Sequence, residues 1–125
     1  MNVNAAKKTS FVLAASAALL LAASGARAHA RLVAADPAPN ATVAAPKAIS
    51  LHFNEQFEPK FSGLELAKND GTKVPTGPAS ADPKDAKTLT APVAAPLTPG
   101  AYQVTWHAVG DDGHRTHGAY AFTAR

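Results

Sequence analysis

Ten prolines punctuate the chain between residues 37 and 99, where one recurs every few residues. Proline lacks the amide donor of a helical hydrogen bond, and its ring clashes with the preceding helical turn. No long helix therefore fits in this part of the chain. The alanine-rich stretches 79–86 and 91–95 have a helical composition, but each contains a proline. We expect loops and edge strands there.

The same part of the chain alternates apolar and polar side chains over short runs, which is typical of half-buried strands. Turn-forming residues separate these runs. About seven short antiparallel strands at this spacing predict an all-β domain, either a small Greek-key β-barrel or an immunoglobulin-like sandwich. The runs are 49–53, 64–67, 88–90, 102–106 and 120–122.

The first 28 residues have the layout of a secretory signal peptide. Lys7 and Lys8 precede an apolar run at 11–23, which is shorter than the roughly 20 residues needed to span a bilayer. We expect residues 1–28 to be removed on export. Residues 29–125 would then form one domain that is not inserted in the membrane.

Two overlapping A-x-A patterns leave the cleavage point open. The first ends at Ala28 and the second at Ala30. Cleavage after Ala28 makes His29 the first residue, whereas cleavage after Ala30 removes that histidine. The cleavage point therefore decides whether the mature chain has an N-terminal histidine that can bind a metal ion.

The formal charge of +3 lies wholly in residues 1–28, which hold three basic residues and no acidic one. The other nine basic residues are matched by nine acidic ones. The domain therefore lacks the basic surplus expected of a nucleic-acid-binding protein. Cysteine is absent, so the domain must be held by its hydrophobic core, although export would permit disulfides.

Five histidines, all within residues 29–125, are the side chains best suited to chemistry. The chain has no cysteine, and Met1 is its sole methionine. A metal site must then be built from imidazole, carboxylate and backbone nitrogen. This ligand set suits Cu(II), Ni(II) or Zn(II) and argues against a thioether site for Cu(I).

Two local features favour copper. His29, as the first residue, offers an α-amine and an imidazole to the same ion, and a tetragonal nitrogen and oxygen arrangement favours Cu(II). Asp112 and His114 project to the same side of an extended segment, and Gly113 between them lets the backbone bend. An Asp-Gly pair is also a common hairpin turn, so this triplet alone is a weak signal. The predicted donors are both His29 nitrogens, Asp112 and His114.

Four further positions could support or surround such a site. Glu55 continues the buried phase of the run 49–53, and a buried acid needs a partner, so it is expected to orient a ligand. His117 is either an auxiliary ligand or a solvated side chain. His52 and His107 fall out of phase with their apolar neighbours and are expected to face solvent or a groove.

These motifs resemble the CopC family of periplasmic copper-resistance proteins. The resemblance covers nearly all of residues 29–125 and implies a small Greek-key β-barrel, similar to an immunoglobulin-like sandwich, that binds copper in the periplasm. The segments that carry it are 29–32, Pro37, 51–55, 100–102, Trp106 and 112–114.

By the same resemblance, His29, Asp112 and His114 correspond to the copper ligands, and Glu55 to a glutamate close to them. Some members of the family also hold Cu(I) in a methionine-rich loop, but residues 67–101 of this chain contain no methionine. The chain is therefore similar to the subgroup with a single Cu(II) site, which implies one ion per mature chain.

The leading hypothesis is a monomeric periplasmic protein, not an enzyme, that sequesters Cu(II) or delivers it to an inner-membrane copper transporter. A second hypothesis is a copper monooxygenase, because an N-terminal histidine resembles the histidine brace of those enzymes, with His114 or His117 as its second histidine. Against it, Asp112 would close the site to oxygen. A third is a metal-free immunoglobulin-like accessory module.

Overall fold

A computed structural model describes residues 29–125, which form nine β-strands and one turn of 3-10 helix at Pro59–Phe61. The predicted signal peptide lies outside the described residues. Within residues 29–125, no helix has the length and apolarity needed to cross a membrane. The strands are β1 (Leu32–Asp36), β2 (Thr42–Val43), β3 (Ala48–Phe53), β4 (Gly63–Lys68), β5 (Lys73–Val74), β6 (Ser80–Asp82), β7 (Asp85–Pro92), β8 (Gly100–Val109) and β9 (Arg115–Ala124).

The strands are arranged in two sheets that enclose one core. One sheet has the order β1-β3-β7-β6 and the other β2-β9-β8-β4-β5. The predicted all-β class is confirmed, and the two separate sheets make it a sandwich rather than a closed barrel. There are nine strands rather than about seven, because β2 and β5 have two residues each and show no alternation in the sequence. β2 also pairs parallel to β9, where only antiparallel pairing was expected.

The alanine-rich stretches contain more strand than predicted. β6 is an edge strand, as expected, but β7 runs over Asp85–Pro92 in an interior position between β3 and β6. Leu89 and Ala91 on β7 are fully buried. Pairing with β3 at five positions fixes this strand, and its proline stands at the last residue, where the ladder ends. Tertiary pairing therefore outweighs the weak local pattern.

Alternate side chains of β3 and β8 build the core between the sheets. Phe53 of β3 and Trp106 of β8 meet edge to face, with ring centroids 5.3 Å apart. Trp106 also lies across Gly118, its partner on β9, where an added Cβ would come within 2.7 Å of the indole ring. A glycine is thus needed at this position because the indole fills the space of a side chain. The intervening residues of β8 face outward, and β8 pairs with β9 as an antiparallel hairpin.

Candidate metal centre

The connection between β8 and β9 is a tight turn that presents Asp112 and His114. The Gly110 amide donates to the His114 carbonyl (3.0 Å), and the Gly113 amide donates to the Gly110 carbonyl (2.9 Å). Gly113 has φ of +80°, a left-handed conformation that glycine adopts without steric cost. The His114 amide donates to Asp112 Oδ1 (3.0 Å), which fixes the carboxylate on the turn. The Asp-Gly pair is therefore a turn former here, while Oδ2 of the same aspartate lies close to the His114 imidazole.

The N-terminal segment is fastened beside this turn by contacts that are distant in sequence. Ala30 is fully buried, and its carbonyl accepts a hydrogen bond from the Thr116 hydroxyl on β9 (2.7 Å). The Arg31 amide donates to Asn54 Oδ1 (2.7 Å), and the Asn54 amide donates to the Arg31 carbonyl (3.0 Å). Because these bonds hold the two residues that follow His29, they also determine where His29 can lie.

Three of the predicted ligand side chains converge at this point. Asp112 Oδ2 lies 2.9 Å from His114 Nδ1 and 3.5 Å from His29 Nδ1. The two imidazole rings are 4.5 Å apart between centroids and inclined by 65°. One ligand atom from each residue lies within 4.8 Å of the others, a spacing that could hold one metal ion.

The cluster lies at the surface, and its imidazoles are more exposed than its carboxylate. The side chains of His29 and His114 are 53% and 64% exposed, whereas that of Asp112 is 22% exposed. The hydrogen bond from the His114 amide holds the pKa of Asp112 below its ordinary value, and the imidazoles of His114 and His29 act in the same direction. Asp112 is therefore a carboxylate at any pH at which imidazole nitrogens are free to bind a metal.

Glu55 lies beside the cluster rather than within it. Its side chain is half-buried just after β3, which places the predicted supporting acid next to the turn. A Cβ added at Gly110 would be 2.5 Å from Glu55 Oε1, 3.1 Å from Asp112 Oδ1 and 3.7 Å from the Ala30 amide nitrogen. Gly110 therefore stands where the glutamate, the turn and the N-terminal segment meet, and the absence of a side chain there lets all three approach.

Replacing Gly110 by Ala is expected to disturb this junction with little effect on folding. The new methyl group displaces the end of the Glu55 side chain and crowds Asp112 Oδ1, whereas its contact with the Ala30 amide is an ordinary one. We expect Cu(II) affinity to fall about tenfold, as is usual when groups that orient ligands are lost. A competition titration measures the affinity, and a thermal melt shows that the fold is retained. Affinity equal to that of the unmodified protein would mean that this junction does not shape the site.

The other histidines lie elsewhere on the sandwich. On β3, His52 Nδ1 lies 3.1 Å from Asp85 Oδ2 and 2.9 Å from Thr88 Oγ1. His107 and His117 lie on the exposed face of β8 and β9. Among the described residues, none of the three belongs to the cluster at the turn. The structure does not bring His117 to that cluster as an auxiliary ligand, because strand alternation points it along the outer face of the sheet.

Sequence reasoning did not identify three residues that shape this centre. Thr116 and Asn54 fasten the N-terminal segment, and Gly110 makes room for the Glu55 carboxylate. The Thr116 contact joins residues 86 positions apart, so no local pattern indicates it. A signal existed only for Gly110, because a glycine directly before an Asp-Asp-Gly turn suggests close approach of the backbone to another group.

The fold and the cluster define a class of protein: a small all-β sandwich with a candidate imidazole and carboxylate metal site at one end. A family model described as the CopC domain matches residues 32–125. The chain belongs to the CopC family, which consists of copper-binding and copper-resistance proteins rather than enzymes. The family resemblance drawn from the sequence is thereby confirmed.

Individual relatives agree with this assignment. The chain is 44% identical over 99 residues to Protein YobA of Escherichia coli strain K12, covering 78% of this chain and 80% of the relative. It is 37% identical over 123 residues to Copper resistance protein C of Pseudomonas syringae pv. tomato, covering 94% and 97%. The crystal structure of PcoC, a methionine-rich copper resistance protein from Escherichia coli, superposes with a TM-score of 0.71 at 33% identity, covering 78% of this chain and all of that one (100%).

Proposed function

We propose that the protein binds Cu(II) in the periplasm, with one tightly held ion at His29, Asp112 and His114. The observation that carries this proposal is the convergence of three side chains that are far apart in the sequence. Their ligand atoms lie within 4.8 Å of one another. A site assembled from both ends of the chain requires the folded state. The complete set of ligands is then present only in the folded protein.

The donor set favours Cu(II) over Cu(I). Imidazole, amine and carboxylate are ligands that suit Cu(II), and Cu(II) stands highest in the stability order of the divalent first-row ions. The PcoC relative is described as methionine-rich, whereas this chain has one methionine, at position 1. A thioether site for Cu(I) is therefore not part of this proposal.

The His29 α-amine completes the proposed ligand set. When residues 1–28 are removed, the amine and Nδ1 of the same residue can close a chelate ring on one ion. The structure supports this arrangement, because Nδ1 is the imidazole nitrogen that faces Asp112. With His114 and Asp112, four donors are available for a tetragonal ion.

The proposal includes the compartment and the handling of the ion. Export by the signal peptide places the domain in the periplasm, where as a monomer it sequesters Cu(II) or passes it to an inner-membrane transporter. The exposed imidazoles support transfer, since the ligands of a partner could reach an ion that Asp112 would still hold. The monooxygenase hypothesis is not retained, because the family is not one of enzymes.

A copper titration of the exported protein tests this function. Mass spectrometry first establishes whether the chain begins at His29. Electron paramagnetic resonance and calorimetry are then expected to show a first equivalent of Cu(II) bound tightly, with nitrogen and oxygen ligands. A chain that begins at Arg31, or one that shows no tight binding of the first equivalent, would contradict the proposal and favour the metal-free accessory module.

Copper affinity is also expected to fall as the pH falls. The α-amine must lose its proton to bind, so affinity drops about tenfold per pH unit below about 8, the ordinary pKa of an α-amine. The lowered pKa of Asp112 keeps that carboxyl ionised throughout this range, so it adds nothing to the slope. Competition with a chelator of known pH dependence measures the effect. An affinity that stays constant between about pH 7 and 8 would exclude the amine as a ligand.

A further inference from the structure

A second pair of histidines lies on the outer face of the five-stranded sheet. His107 on β8 and His117 on β9 are direct partners in the antiparallel register. Both are exposed, because the alternation of β8 turns Trp106 and Ala108 inward and leaves His107 outward. Two imidazoles therefore project into solvent from opposite positions on neighbouring strands.

The hydrogen-bond phase of the β8–β9 ladder brings these two residues especially close. The Gly110 amide donates across to the His114 carbonyl, whereas the amide and carbonyl of Val109 bond away from β9, to Ser62 Oγ and the Glu58 amide. Val109 and Arg115 are therefore a non-hydrogen-bonded pair. In an antiparallel ladder such pairs alternate with hydrogen-bonded pairs. His107 and His117 lie two positions further along the ladder from Val109 and Arg115. Because the two kinds of pair alternate, His107 and His117 are also a non-hydrogen-bonded pair. In such pairs the Cα atoms are about 4.5 Å apart and the side chains are at their closest.

A shared ion requires the His107 ring to turn from the β4 side of its strand toward β9. In the structure the His107 ring lies over Gly63 of β4, with Cε1 3.1 Å from where a Cβ of that glycine would be. Rotation about χ1 moves an exposed ring to the β9 side within nanoseconds. Ala119, the next outward residue on β9 after His117, is small and does not fill the gap between the strands.

We infer that His107 and His117 form a second, weaker site that chelates a divalent ion, with Cu(II) as the preferred one, through two imidazole nitrogens. Two imidazoles at this separation can share one ion, and Cu(II) forms the strongest complexes of the divalent series with such ligands. The site is distinct from the cluster at the turn and does not need the α-amine. It is therefore independent of where the leader is cleaved.

Charge and ligand number make this site weaker than the first. The pair offers two nitrogens and no carboxylate, and water completes the coordination. Arg115 is the exposed residue of β9 two positions before His117. It places a positive charge near the histidine pair. The site fills only after the cluster at the turn, and ion exchange with solvent is fast.

Addition of a second equivalent of Cu(II) to the exported protein, in buffer near pH 7.5, tests this inference. Calorimetry is expected to show a second event, and the ring signals of both histidines should broaden together in NMR spectra. His107→Gln, His117→Gln and the double variant should each weaken the second event by about tenfold or more, because either loss destroys the chelate. The first event should stay unchanged in all three, since none alters the cluster at the turn.

His52→Gln is the matched control, because it removes a strand histidine of the other sheet and should leave both events intact. Two outcomes would overturn the inference. One is a second binding event that survives in the double variant. The other is that the affinity losses of the two single variants add up to that of the double variant, as expected of two independent imidazoles. Repeating the titration on a chain with one residue added before His29 separates the two proposals. There the first event is expected to fail while the second persists, and thermal melts verify that each variant is folded.

Discussion

Adding one residue before His29 is expected to weaken binding of the first Cu(II) by roughly 100- to 10,000-fold. The added peptide bond converts the α-amine into an amide, and the imidazole then binds without its chelating partner. The size of the loss follows from the effective concentration that a chelate gives to its second donor. The fold should be unaffected, because the bonds that hold the segment begin at Ala30 and Arg31. Competition against a chelator of known affinity measures the change.

The matched control adds the same residue after Arg125, at the other end of the chain. This variant has the same composition and keeps a free amine on His29, so it should bind copper as the unmodified protein does. Equal affinity of the two extended chains would show that the amine is not a ligand. The copper site would then consist of side chains alone.

The core of the sandwich was predictable because its signal is local. Alternation over the runs 49–53 and 102–106 reports which side chains face inward, and these faces are buried in the structure. The turn at Asp112 was predictable for the same reason, since Asp-Gly sequences favour tight turns whatever surrounds them. Each of these features depends on neighbours within a few residues.

The features that were missed depend on pairing between distant segments. The outer position of His107 follows from alternation, but its partner on β9 follows only from the register that the turn at Gly110 sets. The interior position of β7 depends likewise on its pairing with β3. The turn signals of this sequence indicate where strands end, but they leave such registers open until the sheets are assembled.

The candidate site illustrates both cases. The two-residue spacing of Asp112 and His114 indicated that they act together, and the structure places their side-chain atoms 2.9 Å apart. That His29 would reach the same point was expected from the family resemblance and from metal chemistry. The physical cause, the bonds from Thr116 to Ala30 and between Arg31 and Asn54, was visible only in the fold. The ligand residues were thus easier to predict from the sequence than the contacts that position them.

Asp112→Asn is expected to lower affinity for the first Cu(II) by roughly 10- to 100-fold while leaving the turn in place. The asparagine carbonyl can still accept the hydrogen bond from the His114 amide, so the hairpin keeps its geometry. The charge and the second oxygen are lost, and that oxygen is the one that faces both imidazoles. The substitution therefore separates the proposed ligand role of this residue from its role in the turn. A copper titration and the paramagnetic spectrum measure the first, and a thermal melt measures the second.

Asp85→Asn is a close structural control for this substitution. Asp85 accepts a hydrogen bond from the Lys87 amide at Oδ1 (2.9 Å), and its Oδ2 lies 3.1 Å from His52 Nδ1. Its pKa is lowered chiefly by that amide, as the pKa of Asp112 is by its own. It differs in having no second histidine beside it, so Asp85→Asn should leave the first copper affinity unchanged. If Asp112→Asn binds copper as tightly as Asp85→Asn does, Asp112 serves the turn alone, and the ion is held by nitrogen donors without a carboxylate.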